Sequence, residues 1–353
     1  MLAARAGAPL RMNPKRLVFL VVVTATTGVF TPLTAQLQTP LGYKERMQDK
    51  YQNPPQVVWV NRPEAGTLPA GVGHHIYRSQ SMGVDVGFCV YLPPQYQVEP
   101  ARRFPLIYHL HGAQGNELAR LSSAELLHAG IVAGKWPPMI MVFPNGGVRT
   151  FYTDWEGGKF MSESIVIKEL IPLVDSSYRT IAARHGRCIE GHSMGGRGST
   201  QLAMKYPDMF CSLFNQAGNM VRVAALYDAS RSDKFPYTML GPEQSRYPEN
   251  DPFELLKKNL ERIRGRMRIM ILCGTADTTH LPTVREFHQA LVEAGVDHTY
   301  VEVDQDYEAF RTKKKIHDQE KLIGLFKPIW FDYHVESLRR AAEAAKTDGT
   351  QKD

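Results

Sequence analysis

The chain has 353 residues, 43% hydrophobic and 22% charged, the make-up of a folded globular protein and not of a disordered or fibrous one. Its net charge of +6 falls to about +2 once residues 1–35 are set aside, because they hold four basic side chains and no acidic one, so neither nucleic acid nor an anionic membrane is implied as a partner. Four cysteines are too few for a disulfide framework in a chain of this length and read as buried thiols, with a bridge between Cys188 and Cys211 left open.

Arg5, Arg11, Lys15 and Arg16 precede the apolar run LVFLVVVTATTGVF, and a small-residue cleavage point follows behind Ala35. Residues 1–35 therefore read as a secretory signal peptide, which implies a secreted or periplasmic protein with no stable membrane insertion after removal. The alternative is a membrane anchor, but the run is shorter than the roughly 20 residues of a span and is diluted by threonines. Met12 is a second candidate start. Residues 36–73, rich in Pro, Gly and Gln, read as an extended arm on the domain.

From His74 the pattern turns to strands. HHIYRSQS and VDVGFCVYLPP predict an antiparallel pair, whereas FPLIYHLHG and MIMVFPNG are near-continuous apolar runs suited to strands buried on both faces. In ESIVIKELIPLVDSSY, Val166, Leu170, Leu173 and Val174 share one helical face. The strands RCIEG, CSLFNQAG, RIMILCG and HTYVEV then alternate with helices, one of them carrying Val284, Phe287 and Leu291 and ending at Gly295. This is an α/β pattern: a mostly parallel sheet with helices on both faces. The excursion 219–263, with four prolines, reads as a rim and not as a separate cap domain. A last helix is expected over 319–345, with a frayed tail at 346–353; the catalytic domain is 74–345.

One run carries chemistry. GHSMGG places Ser193 between a strand and a small-residue helix, the context of a nucleophile elbow. A serine hydroxyl needs an imidazole base, and the imidazole needs a carboxylate to fix its tautomer. In α/β sheets of this kind both follow the serine in the chain, acid first. Asp277 stands just past the strand RIMILCG, where such sheets carry functional groups, with capping of the next helix as its other reading. Asp228 and Asp251 have no strand to place them. Among the histidines, His280 is too close to Asp277 to be turned toward Ser193, His288 and His334 lie within helices, and His298 begins a strand at the wrong end. His317 remains, in the loop after the last strand. The oxyanion donors are expected to be the N–H of Met194, directly after the nucleophile, and that of Ala113 in the turn HLHGAQGN. A metal reading of His109 and His111 lacks a cysteine or carboxylate nearby to complete it.

Together these residues carry a resemblance. The segments VYLPPQY, FPLIYHLHGAQGNE, MVFPNGG, FYTDW, IKELIPLVDSSYRT, RCIEGHSMGGRGS, KYPDMF and CGTAD resemble the putative-esterase family of α/β-hydrolases. That family includes esterase D, feruloyl and acetylxylan esterases, enterochelin-type esterases and mycolyltransferases. The resemblance runs from about His74 to Leu338. It implies an α/β-hydrolase fold and a serine esterase without cofactor or metal, with Ser193, Asp277 and His317 as triad and Ala113 and Met194 as oxyanion donors. One departure is that DQDYEAFRTKKKI precedes His317 where members often carry a short glycine turn; Tyr307, Phe310 and Lys313 to Lys315 stand in it as a substrate rim or a solvated charge run. Gln114, Tyr152 and Trp155 are substrate-binding candidates; with Phe151, the two rings either stack on a sugar or aromatic acyl group or pack in the core. The expected substrate is a small-molecule or polysaccharide ester, acetyl or feruloyl decorations first and a siderophore lactone second. An acyltransferase and a non-catalytic carbohydrate-binding relative are the remaining alternatives.

Overall fold

The computed structural model describes residues 10–12, 56–223, 237–275, 277–303 and 319–347. The apolar run of the leader, the arm before residue 56, Asp228, the segment holding Tyr307, Phe310, Lys313 to Lys315 and His317, and the tail from residue 348 lie outside the described residues.

Each strand expected from His74 onward forms: β2 (Val72–Arg78), β3 (Asp85–Tyr91), β4 (Leu106–Leu110), β5 (Ile140–Pro144), β6 (Arg187–His192), β7 (Ser212–Gln216), β8 (Arg268–Gly274) and β9 (His298–Val303). A short β1 (Leu10–Met12) lies parallel beside β9. The sheet order is β1-β9-β8-β7-β6-β4-β5-β3-β2. The β2–β3 and β3–β5 pairings are antiparallel and the other pairings are parallel, so β3 alone runs against the rest of the described sheet. All five residues of β4, β5 and β7 are buried, as strands covered on both faces must be.

The two-residue pleat sorts these strands into two cores. Leu106, Tyr108, Leu110, Ile140, Val142, Ile189, Leu213 and Ile269 face one side, while Ile107, Met141, Phe143, Phe214, Met270 and Leu272 face the other. The second face is closed by α1 (Ser122–Val132), through Ala124, Leu127 and Ile131, and by Trp330 and Phe331 of the C-terminal helix. Trp136 ties these two together, with its ring 4.9 Å from Phe331 and its Nε1–H donating to Asp332 Oδ1 at 2.6 Å.

On the first face the helix expected over residues 163–178 forms with an internal irregularity. Ile165–Leu170 is π-helical and leads into α2 (Ile171–Ser177). Pro172 has no N–H to give and its ring crowds the preceding turn, so the Ile171 N–H reaches back five residues to Val166 O. Val166, Leu170 and Val174 are nonetheless buried, and Leu173 packs against the same core. The face is completed by α3 (Met194–Lys205), α4 (Pro252–Lys258) and α5 (Leu281–Glu293). The last helix, α6, spans Gln319–Thr347, two residues into the expected tail.

The described parts of the 219–263 excursion are bound to α3 and build no second core. Arg197 donates to Asn219 O, Val221 O and Asn250 O at 2.9 to 3.1 Å, and Asn259 Nδ2 donates to Met204 O at 2.8 Å. All four cysteines are free and buried. Burial pushes the Cys188 thiol well up, helped by the neighbouring Cys211, and leaves it unreactive. Among the described residues no helix is long and apolar enough to cross a membrane.

Candidate active site

Ser193 sits between β6 and α3 with φ 54° and ψ −116°, a backbone conformation that L residues rarely adopt. The flanking glycines explain how strand and helix come so close. A Cβ on Gly195 would lie 2.0 Å from Leu110 O, and one on Gly191 would lie 2.3 Å from Gly195 O. Two backbone bonds hold the turn: Ser193 N–H donates to Gln216 O on β7 at 2.9 Å, and Arg197 N–H donates to Ser193 O at 3.0 Å. Ser193 is half-buried at the carboxyl end of a central strand, and Met194 opens α3, whose first N–H groups have no partner within the helix.

The turn after β4 lies directly against this elbow. A Cβ on Gly112 would stand 3.7 Å from Ser193 Cβ and 3.5 Å from His192 Nδ1. Ala113 O accepts from the Arg149 N–H at 3.1 Å, while its own N–H makes no hydrogen bond among the described residues. Both expected oxyanion donors, Ala113 and Met194, are thus brought to Ser193. Of the three substrate candidates Gln114 is exposed beside this turn. Tyr152 and Trp155 are core residues: the Tyr152 hydroxyl donates to His111 O at 3.2 Å, and Trp155 Nε1–H donates to Thr150 O at 3.2 Å with its ring edge-on to Phe160. Their rings pack inside the fold, the second of the two roles expected for them, and Phe151 is buried with them.

Asp277 follows β8 at its carboxyl end, buried, as its sequence position implies. Its Oδ1 accepts from the His280 N–H at 3.0 Å, and His280 Nδ1 lies 2.9 and 3.0 Å from its two oxygens. The carboxylate therefore orients an imidazole and also satisfies an amide at the entry to α5. His317 lies outside the described residues. Asp251 caps α4 by accepting from the Phe253 N–H at 2.9 Å.

With this geometry in place, the comparison with known proteins is decisive for the family. Residues 79–314, about two thirds of the chain, match the family described as Putative esterase. The chain belongs to this esterase family. An esterase of Mycobacterium tuberculosis is 26% identical over 329 residues, which cover 86% of this chain and 65% of that protein. The chain thus spans less than two thirds of that curated relative. The endo-1,4-beta-xylanase/feruloyl esterase of Xylanibacter ruminicola is 33% identical over 141 residues, 37% of this chain and 19% of that one. Among solved structures, a ferulic acid esterase superposes with a TM-score of 0.62 at 22% identity, covering 76% of this chain and 98% of that one. An S-formylglutathione hydrolase from Agrobacterium tumefaciens gives 0.58 at 21%, covering 76% and 95%. At these identities the superpositions establish the α/β-hydrolase fold.

Within this esterase frame, two polar groups were not anticipated as parts of the site. His109 and His111, two residues apart, part company: His109 Nδ1 meets Glu190 Oε1 at 2.6 Å, while His111 turns to the Gly112 and Gly146 backbone. The second group centres on Glu117, fully buried just past the Gly112 turn. Its carboxylate accepts from the Asn61 N–H (2.6 Å), Asn61 Nδ2 (2.9 Å) and Asn145 Nδ2 (2.8 Å), with His74 Nε2 at 3.3 Å. The arm, β2 and the loop after β5 are thereby fastened to the turn beside Ser193.

Proposed function

We propose that this chain is a serine carboxylesterase that cleaves ester bonds through an acyl-Ser193 intermediate. The observation that carries the reading is the strained backbone of Ser193 at the head of α3, with the Gly112 turn packed against it. Such strain costs roughly 1–3 kcal/mol, and a binding module has no use for it.

In the reaction an imidazole takes the Ser193 hydroxyl proton as its Oγ attacks the ester carbonyl. The carbonyl oxygen becomes an oxyanion facing the Met194 and Ala113 N–H groups, each worth about 3–4 kcal/mol of barrier. Collapse expels the alcohol, which leaves with the proton from the imidazolium. Water then repeats the sequence on the acyl-serine, releasing the carboxylic acid and free Ser193. Asp277 holds the imidazole in its tautomer and offsets its charge. His317 supplies that imidazole in the order serine, acid, histidine. The contact of His280 with Asp277 favours one competing assignment, with His280 as the base.

The substrate class proposed is acetyl or feruloyl esters of polysaccharide, supported by the signal-like composition of residues 1–35 and by the ferulic acid esterases among the structural relatives. Fluorophosphonate labelling and turnover of aryl, acetylated-xylan and feruloyl esters test this with Ser193→Ala, His317→Ala and His280→Ala variants. Loss of turnover in the first two, with turnover kept in the third, is expected. Turnover that survives His317→Ala and vanishes in His280→Ala assigns the base to His280, and an unlabelled wild type favours a carbohydrate-binding relative.

A further inference from the structure

His111 has no place in the proton transfers above, yet it touches the one peptide on which the second oxyanion donor depends. Gly146 N–H approaches its Nε2 at 3.0 Å, and because an amide N–H can only donate, Nε2 must be the accepting nitrogen. The proton of the neutral ring therefore sits on Nδ1, which donates to Gly112 O at 2.8 Å. Burial pushes the imidazole pKa down to about 4, more than the Gly112 carbonyl raises it, so this single tautomer persists at neutral pH. The Gly112 carbonyl also accepts from the Gly115 N–H at 2.9 Å. The preceding carbonyl, of His111 itself, accepts from the Tyr152 hydroxyl at 3.2 Å.

The consequence follows from peptide planarity. The Gly112 carbonyl and the Ala113 N–H belong to one trans peptide unit and point in opposite directions. Fixing the carbonyl on the His111 side fixes the N–H on the other. We infer that His111 is a positioning residue of the oxyanion hole: its Nδ1–H anchors the Gly112 carbonyl and so aims the Ala113 N–H at the oxyanion formed on Ser193. Tyr152 acts in series by holding the peptide before it. This rests on the esterase reading proposed above and assigns both side chains to the backbone of the site and not to the substrate.

The test uses p-nitrophenyl acetate and compares wild type with His111→Gln, His111→Asn, Tyr152→Phe and Ser193→Ala. Asparagine places an amide N–H where Nδ1 stood and keeps the bond to Gly112 O. Glutamine reaches past it toward the Gly146 N–H and loses that bond. His111→Gln is expected to lower kcat by about 10- to 100-fold with KM within about twofold, less than the roughly 100- to 1,000-fold of a donor removed outright, because the Ala113 N–H is misaimed and not deleted. His111→Asn is expected to recover kcat to within about fivefold of wild type, and Tyr152→Phe, which removes one buried hydroxyl and little volume, to lower kcat about fivefold at unchanged KM. Equal losses in the Gln and Asn variants overturn the inference, as does a Tyr152→Phe variant that changes KM alone. Turnover that depends on Ser193 but ignores His111→Gln overturns the His111 role and leaves the esterase reading intact. Wild-type turnover that survives Ser193→Ala overturns both.

Discussion

Ser193 holds an amide in a place where glycine would rest more easily, and the strain is local enough to measure. At φ 54° and ψ −116° its Cβ crowds the backbone, whereas glycine tolerates the same angles. Ser193→Gly is therefore expected to abolish ester turnover and raise stability by about 1 kcal/mol in a chemical denaturation curve; equal or lower stability would mean that the elbow stores no strain. At His111 the prediction concerns pH. Its ring is neutral in the fold down to about pH 4, whereas the exposed imidazole of the unfolded chain takes up a proton from about its ordinary 6.5. The unfolded state then binds more protons between those values, so stability falls as pH drops from 6.5 to 4. His111→Asn, which does not titrate there, should show a shallower loss across that window, read as the change in denaturation midpoint at each pH.

At the scale of elements, strand β6 leads into Ser193, the proposed nucleophile, and is also the anchor for α6. Glu190, three residues before Ser193, is buried with His109 Nδ1 at 2.6 Å on one oxygen and His334 Nε2 at 3.1 Å on the other, and His334 Nδ1 lies 2.8 Å from Ser212 Oγ on β7. Burial alone would push this carboxyl up, but the bonds from the two imidazoles outweigh it and hold it at about 2. A depressed carboxylate stabilises the fold above its ordinary 4.5, and that contribution is lost as pH falls toward 2. Glu190→Gln should therefore destabilise the protein by about 3 kcal/mol at neutral pH, the usual penalty for breaking a buried pair, with the gap to wild type closing below pH 4.5. An equal gap at both pH values would place the effect in packing.

The strands were legible in the sequence because burial on both faces leaves continuous apolar runs such as LIYHL and IMVFP. The elbow was legible because its strand, its glycine-flanked serine and its small-residue helix follow one another in one short run. Glu117, His111 and Glu190 were not, since each meets partners tens of residues away and a long-range polar bond leaves no periodic trace. Nor does sequence tell a buried tyrosine from a stacking one: Tyr152 and Trp155 carry the same apolar ring in either role, and the tertiary fold decides. The π-helical turn before Pro172 was hidden for a related reason, because the apolar face of the helix survives it.

For the whole molecule, the described end of the N-terminal arm belongs to the fold: Val57 and Trp59 pack on the core, and Asn145 Nδ2 donates to Val58 O and Trp59 O at 3.0 Å. By contrast β1 adds three residues to the edge of β9. A chain beginning at Gln36 should therefore keep its melting temperature and its turnover to within about twofold, while one beginning at His74 loses the Asn61 bonds to Glu117 and should lose about 2 kcal/mol or more. Equal melting temperatures for the two would show that the arm contributes nothing. The central claim is that Ser193 is the nucleophile of an ester hydrolase, and the most direct measurement is mass spectrometry of the protein after reaction with a fluorophosphonate. One adduct on the peptide containing Ser193, blocked by prior incubation with an ester substrate, is the predicted result; an adduct elsewhere, or none under conditions in which ester is turned over, would contradict it.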